Sequence, residues 1–150
     1  MNKTEILKQL QQYGRIMDRL RDAGILRSGN NPVADYTEWL VARKLGLELT
    51  PNSNKSFDAI HPRTKIRYQI KARRITESGK PRQMSVIRST DFDYLIAVIF
   101  DRDFKVLKAL KIPKKLIRTP FVRFSKHQNG HILILRGPIL EQRDIEEIKL

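Results

Sequence analysis

"FDAIHPRTKIRYQIKARR", residues 57–74, holds two short alternating segments around a turn. Tyr68, Ile70 and Ala72 alternate with Gln69, Lys71 and Arg73, the two-residue period of a strand with one apolar and one polar face. "FDAI" (57–60) reads as its partner strand and "HPRTK" (61–65) as the turn between them. Such a hairpin puts Asp58, Gln69 and Lys71 on a shared face. Asp58 then offers a hard carboxylate oxygen, Gln69 a neutral carbonyl oxygen, and Ile70 a backbone carbonyl between them. Mg²⁺ takes a few such oxygens from protein and the rest from water and substrate phosphate. Lys71 beside that point would stabilise a crowded phosphate or position an attacking water.

Upstream, Ile6, Leu7, Leu10, Tyr13, Ile16, Met17 and Leu20 recur at helical spacing over residues 4–22, an amphipathic helix. "GILRSGNNP" (24–32) breaks it. Asn31 caps a second helix and Pro32 fits its first position, so the helix continues through "VADYTEWLVARKL" (33–45). At 100° per residue, Ala34, Val41, Ala42 and Leu45 fall within about 60° of Glu38. A carboxylate in an apolar stripe requires a cation, a metal or a hydrogen-bond donor.

Downstream, "MSVI" (84–87) reads as a short strand and "DYLIAVIF" (93–100) as a strand buried on both faces. "FKVLKALKI" (104–112) is its antiparallel neighbour with lysines to solvent. "PKKLI" (113–117) is a short helix or turn, "HILILR" (131–136) a late strand, and the last ten residues a short helix. The expected class is α/β (α+β): one domain over 1–150, with an N-terminal helical segment (1–30) and a core (33–112) whose central mixed sheet is flanked by helices.

The helix glutamate, the strand aspartate and the Q-x-K of the following strand resemble the PD-(D/E)XK nuclease superfamily, the restriction-endonuclease-like fold. Glu38, Asp58, Gln69 and Lys71 stand at the matching positions, and the likeness spans roughly residues 33–112. Phe57 precedes Asp58 where that family has proline, and Gln69 replaces its second acid. The text "GNNPVADYTEWLVARKLGLEL…SFDAI…YQIKARR" is similar to small bacterial members with this Q-x-K variant. The resemblance implies a restriction-endonuclease-like core, DNA phosphodiester hydrolysis, Mg²⁺ (with Mn²⁺ as substitute) held by Asp58, Gln69, the Ile70 carbonyl and Glu38, and, by analogy, a homodimer.

Charge points to the same partner. The chain carries 30 Lys+Arg against 16 Asp+Glu, a formal charge of +14. Cations that neutralise phosphates release condensed counterions, so DNA is the expected ligand. Arg67, Arg73, Arg74, Lys80, Arg82 and Arg88 are the candidate phosphate contacts. A non-catalytic DNA-binding protein of the same fold remains the alternative; an RNA-binding role rests on charge alone.

Other classes find less support. The chain has no cysteine, so disulfides and thiolate chemistry are excluded. No GxxxxGK[ST] loop is present, so no nucleotide cofactor is expected. His127 and His131 flank Asn129-Gly130, a turn signal, rather than a helical metal pair. Trp39 and Tyr68 read as core. The longest apolar run, "YLIAVIF" (94–100), is too short to span a bilayer, and "MNKTEILKQL" lacks a signal-peptide core. The expectation is a cytoplasmic protein with no membrane partner.

Overall fold

A computed structural model describes residues 1–54, 56–76 and 82–150. Both leading helices form where the sequence places them, the first from its apolar spacing and the second from its Asn31 cap. The first, α1 (Lys3–Asp22), opens on a capping box: Asn2 Oδ1 accepts from the Glu5 N–H at 3.0 Å, and Glu5 Oε2 accepts from the Asn2 N–H at 2.8 Å. The second, α2 (Pro32–Leu45), starts with Asn31 Oδ1 accepting from the Val33 N–H and ends at Gly46, whose φ of 64° is the left-handed closure that glycine permits.

Strands β1 (Glu48–Leu49), β2 (Ala59–Ile60), β3 (Arg67–Arg74), β4 (Tyr94–Phe100), β5 (Val106–Pro113) and β8 (Glu146–Glu147) form one mixed sheet in the order β1-β2-β3-β4-β5-β8. β3 and β4 run parallel, and the other neighbours run antiparallel. This bears out an α+β protein with a mixed sheet. Leu95 to Phe100 are all buried, as a central strand covered on both faces must be.

The two faces are covered differently. α2 lays Val41, Tyr36 and Leu40 over Tyr68, Ile70, Val98 and Phe100. The opposite face is closed by irregular chain carrying Met84, Ile87 and Phe92, by Leu116 and Ile117 of a 3-10 turn (Lys114–Arg118), and by Leu133 and Leu135. The expected helix layer on that face is therefore absent among the described residues.

Other expectations need correction. In place of a strand over 84–87 there are two isolated bridges, Gln83 with Ile134 and Ile87 with His131, because Met84 and Ile87 are buried three apart rather than in alternation. The late strand shortens to β7 (Gly130–Ile132), paired with β6 (Arg123–Ser125). Gly130 is required there: a Cβ would lie 2.6 Å from Val86 Cγ2 and 2.8 Å from the Ile87 carbonyl oxygen. The last ten residues supply β8 instead of a helix. Its Glu146 and Glu147 meet Lys111 (3.6 Å) and Lys108 (3.9 Å), so those lysines are paired rather than left to solvent.

Candidate functional site

β2 is two residues long, and Asp58 stands just before it rather than within it. Its backbone is held on both sides. The Asp58 N–H donates to the Tyr68 carbonyl at 2.9 Å, and the Asp58 carbonyl accepts from the Thr50 N–H at 2.9 Å and from Thr50 Oγ1 at 3.0 Å. Because β2 pairs only Ala59 and Ile60 with β3, the Ile70 N–H faces a vacated stretch of edge. Asp58 Oδ2 fills it, accepting from the Ile70 N–H at 2.6 Å and from Gln69 Nε2 at 2.5 Å. A strand residue directs its N–H and C=O to the same edge, so the Ile70 carbonyl leaves on the Asp58 side too.

Glu38 approaches from the α2 face. Its partner is Arg27, whose Nη2 donates to Glu38 Oε2 and whose Nη1 donates to the Thr50 carbonyl at 2.8 Å. The segment carrying Arg27 is clipped to the first turn of α2. Asp35 Oδ2 accepts from the Arg27 N–H (2.8 Å), the Ser28 N–H (2.7 Å) and Ser28 Oγ (2.9 Å). The expected apolar stripe is narrower than the wheel implies: Val41 and Ala42 are buried, Leu45 is half-buried, and Ala34 is exposed.

The two acids share one field. Burial pushes the Glu38 carboxyl above its ordinary range and the nearby Asp58 carboxylate pushes it further, against the opposing pull of Arg27. Burial raises Asp58 as well, and the Ile70 N–H, Lys71, Arg27 and Gln69 oppose it. Asp58 lines two cavities. One, about 200 Å³, lies toward Arg27, Glu38 and Asn52. The other, about 440 Å³, lies toward Gln69, Lys71, Arg88 and Ser89.

The structure therefore gathers Glu38, Asp58, Gln69, Ile70 and Lys71 at one sheet edge. Of the expected phosphate contacts, Arg88 is exposed at the mouth of the larger cavity. Arg73 shares the strand face of Gln69 and Lys71 by alternation. Arg82 is half-buried, with its carbonyl bonded to the Leu135 N–H. Two do not fit. Arg67 is engaged by Asp91 (2.5 Å) and Asp93 (3.5 Å), which raise its pKa, and it lies over the Phe57 ring. Arg74 faces the other side of the sheet, bonds the Arg102 carbonyl and stacks 4.3 Å from the Phe104 ring centre. Lys80 lies outside the described residues. Tyr68 is buried as expected, while Trp39 is half-buried under Arg43.

Arg27 and Asp35 escaped the sequence reading. The apolar stripe around Glu38 called for a cation, yet nothing in "ILRSGNNP" singles out Arg27 as the one that turns back onto the helix.

Mg²⁺ requires hard oxygens, and the carboxylates of Asp58 and Glu38 with the carbonyls of Gln69 and Ile70 are of that kind. Among the described residues no three histidine, aspartate or glutamate side chains gather as a metal-binding group. The fit thus depends on the amide: Gln69 turns its nitrogen to Asp58, and must rotate to present its oxygen. No protein-family model matches the chain, and no curated protein sequence is similar to it.

Proposed function

We propose that this protein is a Mg²⁺-dependent nuclease that hydrolyses DNA phosphodiester bonds, built on a restriction-endonuclease-like core and working in the cytoplasm. One observation carries the reading: two partly buried acids with raised pKa values converge from opposite faces onto a sheet edge beside Lys71. Perturbed acids clustered in a cleft beside a cation are characteristic of catalytic sites.

Asp58 and Glu38, with the carbonyl oxygens of Gln69 and Ile70, would hold the cation; Mn²⁺ would serve as well. When bound, such an ion lowers the pKa of a water and withdraws charge from a phosphoryl oxygen. Lys71 places a positive charge against the phosphate in the larger cavity. Arg88 and Arg73 steady the backbone on either side. With a charge of +14 and no base-reading motif, binding depends steeply on salt and little on sequence.

A second reading, a DNA-binding protein that does not cut, is favoured by the pairing of Asp58 with Gln69 and Glu38 with Arg27, which satisfies both acids without a metal. Cleavage assays on duplex, branched and single-stranded DNA with Mg²⁺, Mn²⁺ or EDTA separate the two. The nuclease reading expects metal-dependent cutting that Asp58→Ala and Lys71→Ala abolish, with Asp58→Ala still binding DNA. Binding without cutting in either metal supports the second reading. Absence of binding at low salt overturns both.

A further inference from the structure

Among the described residues, the first half of α1 stands exposed. Residues 1–13 are all exposed, and among the described residues the helix is covered toward its C-terminal end, with Met17 buried and Gly14 and Leu20 half-buried. Yet the free half is apolar on one side: Ile6, Leu7, Leu10 and Tyr13 are 47%, 53%, 61% and 56% exposed, and Ile16 another 47%. Together these side chains leave roughly 500 Å² of apolar surface in water, at the upper range of what monomers tolerate. A free helical half of this length is marginal in water however well it is capped. Ile6, Leu10, Tyr13, Met17 and Leu20 follow four-three spacing, so the exposed stripe and the two body-facing residues lie along one side of the helix.

From this we infer that α1 pairs antiparallel with α1 of a second copy of this chain. Self-complementarity selects that occupant. The C-terminal half of α1 borders an apolar cleft of about 540 Å³, walled by Met17, Leu20, Ile25, Leu26, Tyr36 and Phe104. Stripe and cleft share one helix and overlap at Tyr13 and Ile16. A two-fold axis near the middle of α1 therefore seats each stripe in the other copy's cleft at once, with Leu10 opposite Tyr13 and Ile6 at the cleft wall that Met17 helps to form. The exposed stripe with its polar rim approaches the roughly 800 Å² per partner of a stable interface. Charge agrees: residues 3–22 hold five cations against three acids, so this helix is far closer to neutral than the +14 chain and two copies can meet there. An anionic lipid surface would favour a more basic face.

Sedimentation equilibrium of the full chain is the test. The expected species has twice the 17.6 kDa chain mass, and Leu10→Glu weakens its association roughly 30-fold or more, as loss of a central anchor does. Ile6→Glu, in the first turn and away from the body, provides a second variant if Leu10→Glu disturbs folding. Nitroxides on Thr4→Cys of one copy and Arg19→Cys of the other are expected close together, while two Thr4 labels stand roughly 22 Å apart along the axis. A wild-type chain that stays monomeric at about 100 μM (the upper range of weak association) overturns the proposal, and its capture by anionic vesicles would reassign the stripe to lipid. A dimer indifferent to both substitutions, or close Thr4–Thr4 labels, overturns it equally.

Discussion

Gln69→Glu tests the site at its least ordinary residue. Gln69 is 8% exposed and donates through Nε2 to Asp58 Oδ2 at 2.5 Å. Glutamate removes that donor and sets two carboxylates against each other. Losing a hydrogen bond to a charged acceptor costs about 1.5–3 kcal/mol, and with the added like-charge repulsion the total is about 3 kcal/mol at neutral pH. For a domain of this size that is a fall in Tm of roughly 6–12 °C. The cost depends on pH with a definite sign. Two facing carboxylates retain a proton that the unfolded chain would release, so the deficit is full at neutral pH and shrinks on acidification as one acid protonates. A cation between them reverses the penalty: Mg²⁺ at about 100 times its Kd returns about 2.7 kcal/mol. Thermal denaturation of both proteins in EDTA and in Mg²⁺, from about pH 4.5 to pH 8 (a span covering the carboxylate titrations), reads each part. A variant as stable as wild type in EDTA would refute the Gln69–Asp58 bond. A variant destabilised in EDTA but not recovered by Mg²⁺ would refute a cation at that point.

Asp58→Asn should raise Tm at neutral pH while abolishing cleavage. Its raised acid pKa means that the folded state keeps a proton longer than the unfolded chain, so wild-type stability falls as pH rises through that interval; the gain should vanish in melts at acid pH. Arg27→Gln strands Glu38 beside Asp58, and a double-mutant cycle with Glu38→Gln should give a coupling of about 1–2 kcal/mol at neutral pH that declines on acidification. Additive denaturation free energies would show that the pair carries no energy. Gly130→Ala must displace Val86 or the Ile87 backbone, at a cost of about 2 kcal/mol. It should also weaken DNA binding by moving the adjoining Arg88; unchanged urea midpoints would contradict the packing.

The placement of the candidate residues was legible because strand alternation is a rigid rule. Once 67–74 is a strand beside a short partner, Gln69 and Lys71 must share a face and Asp58 must lie near them. The central strand was equally plain from its unbroken apolar run. What escaped was non-local. Glu38 advertised a missing cation, but Arg27 reaches it only because Asp35 clips the 27–28 backbone to α2. Arg67 read as a free cation because its partners, Asp91 and Asp93, lie across the β3–β4 connection. β8 was missed because two glutamates have low strand propensity, and only the lysines of β5 make that edge suitable.

The parallel pairing of β3 with β4 also dictates an order of assembly. β4 and β5 are joined through residues 101–105, a short closure available early in folding, whereas β3 reaches β4 only after the chain over 75–93 has looped back. Loop-closure entropy makes the second event slower and costlier. The β4–β5 ribbon is thus the natural nucleus, and β3, which carries Gln69, Ile70 and Lys71, joins late. In native-state hydrogen exchange the amides of β4 and β5 should open only with the whole molecule, while β2 and the Asp58 end of β3 open first. The geometry of the candidate site is thus the last thing folding makes and the first thing thermal fluctuation takes apart.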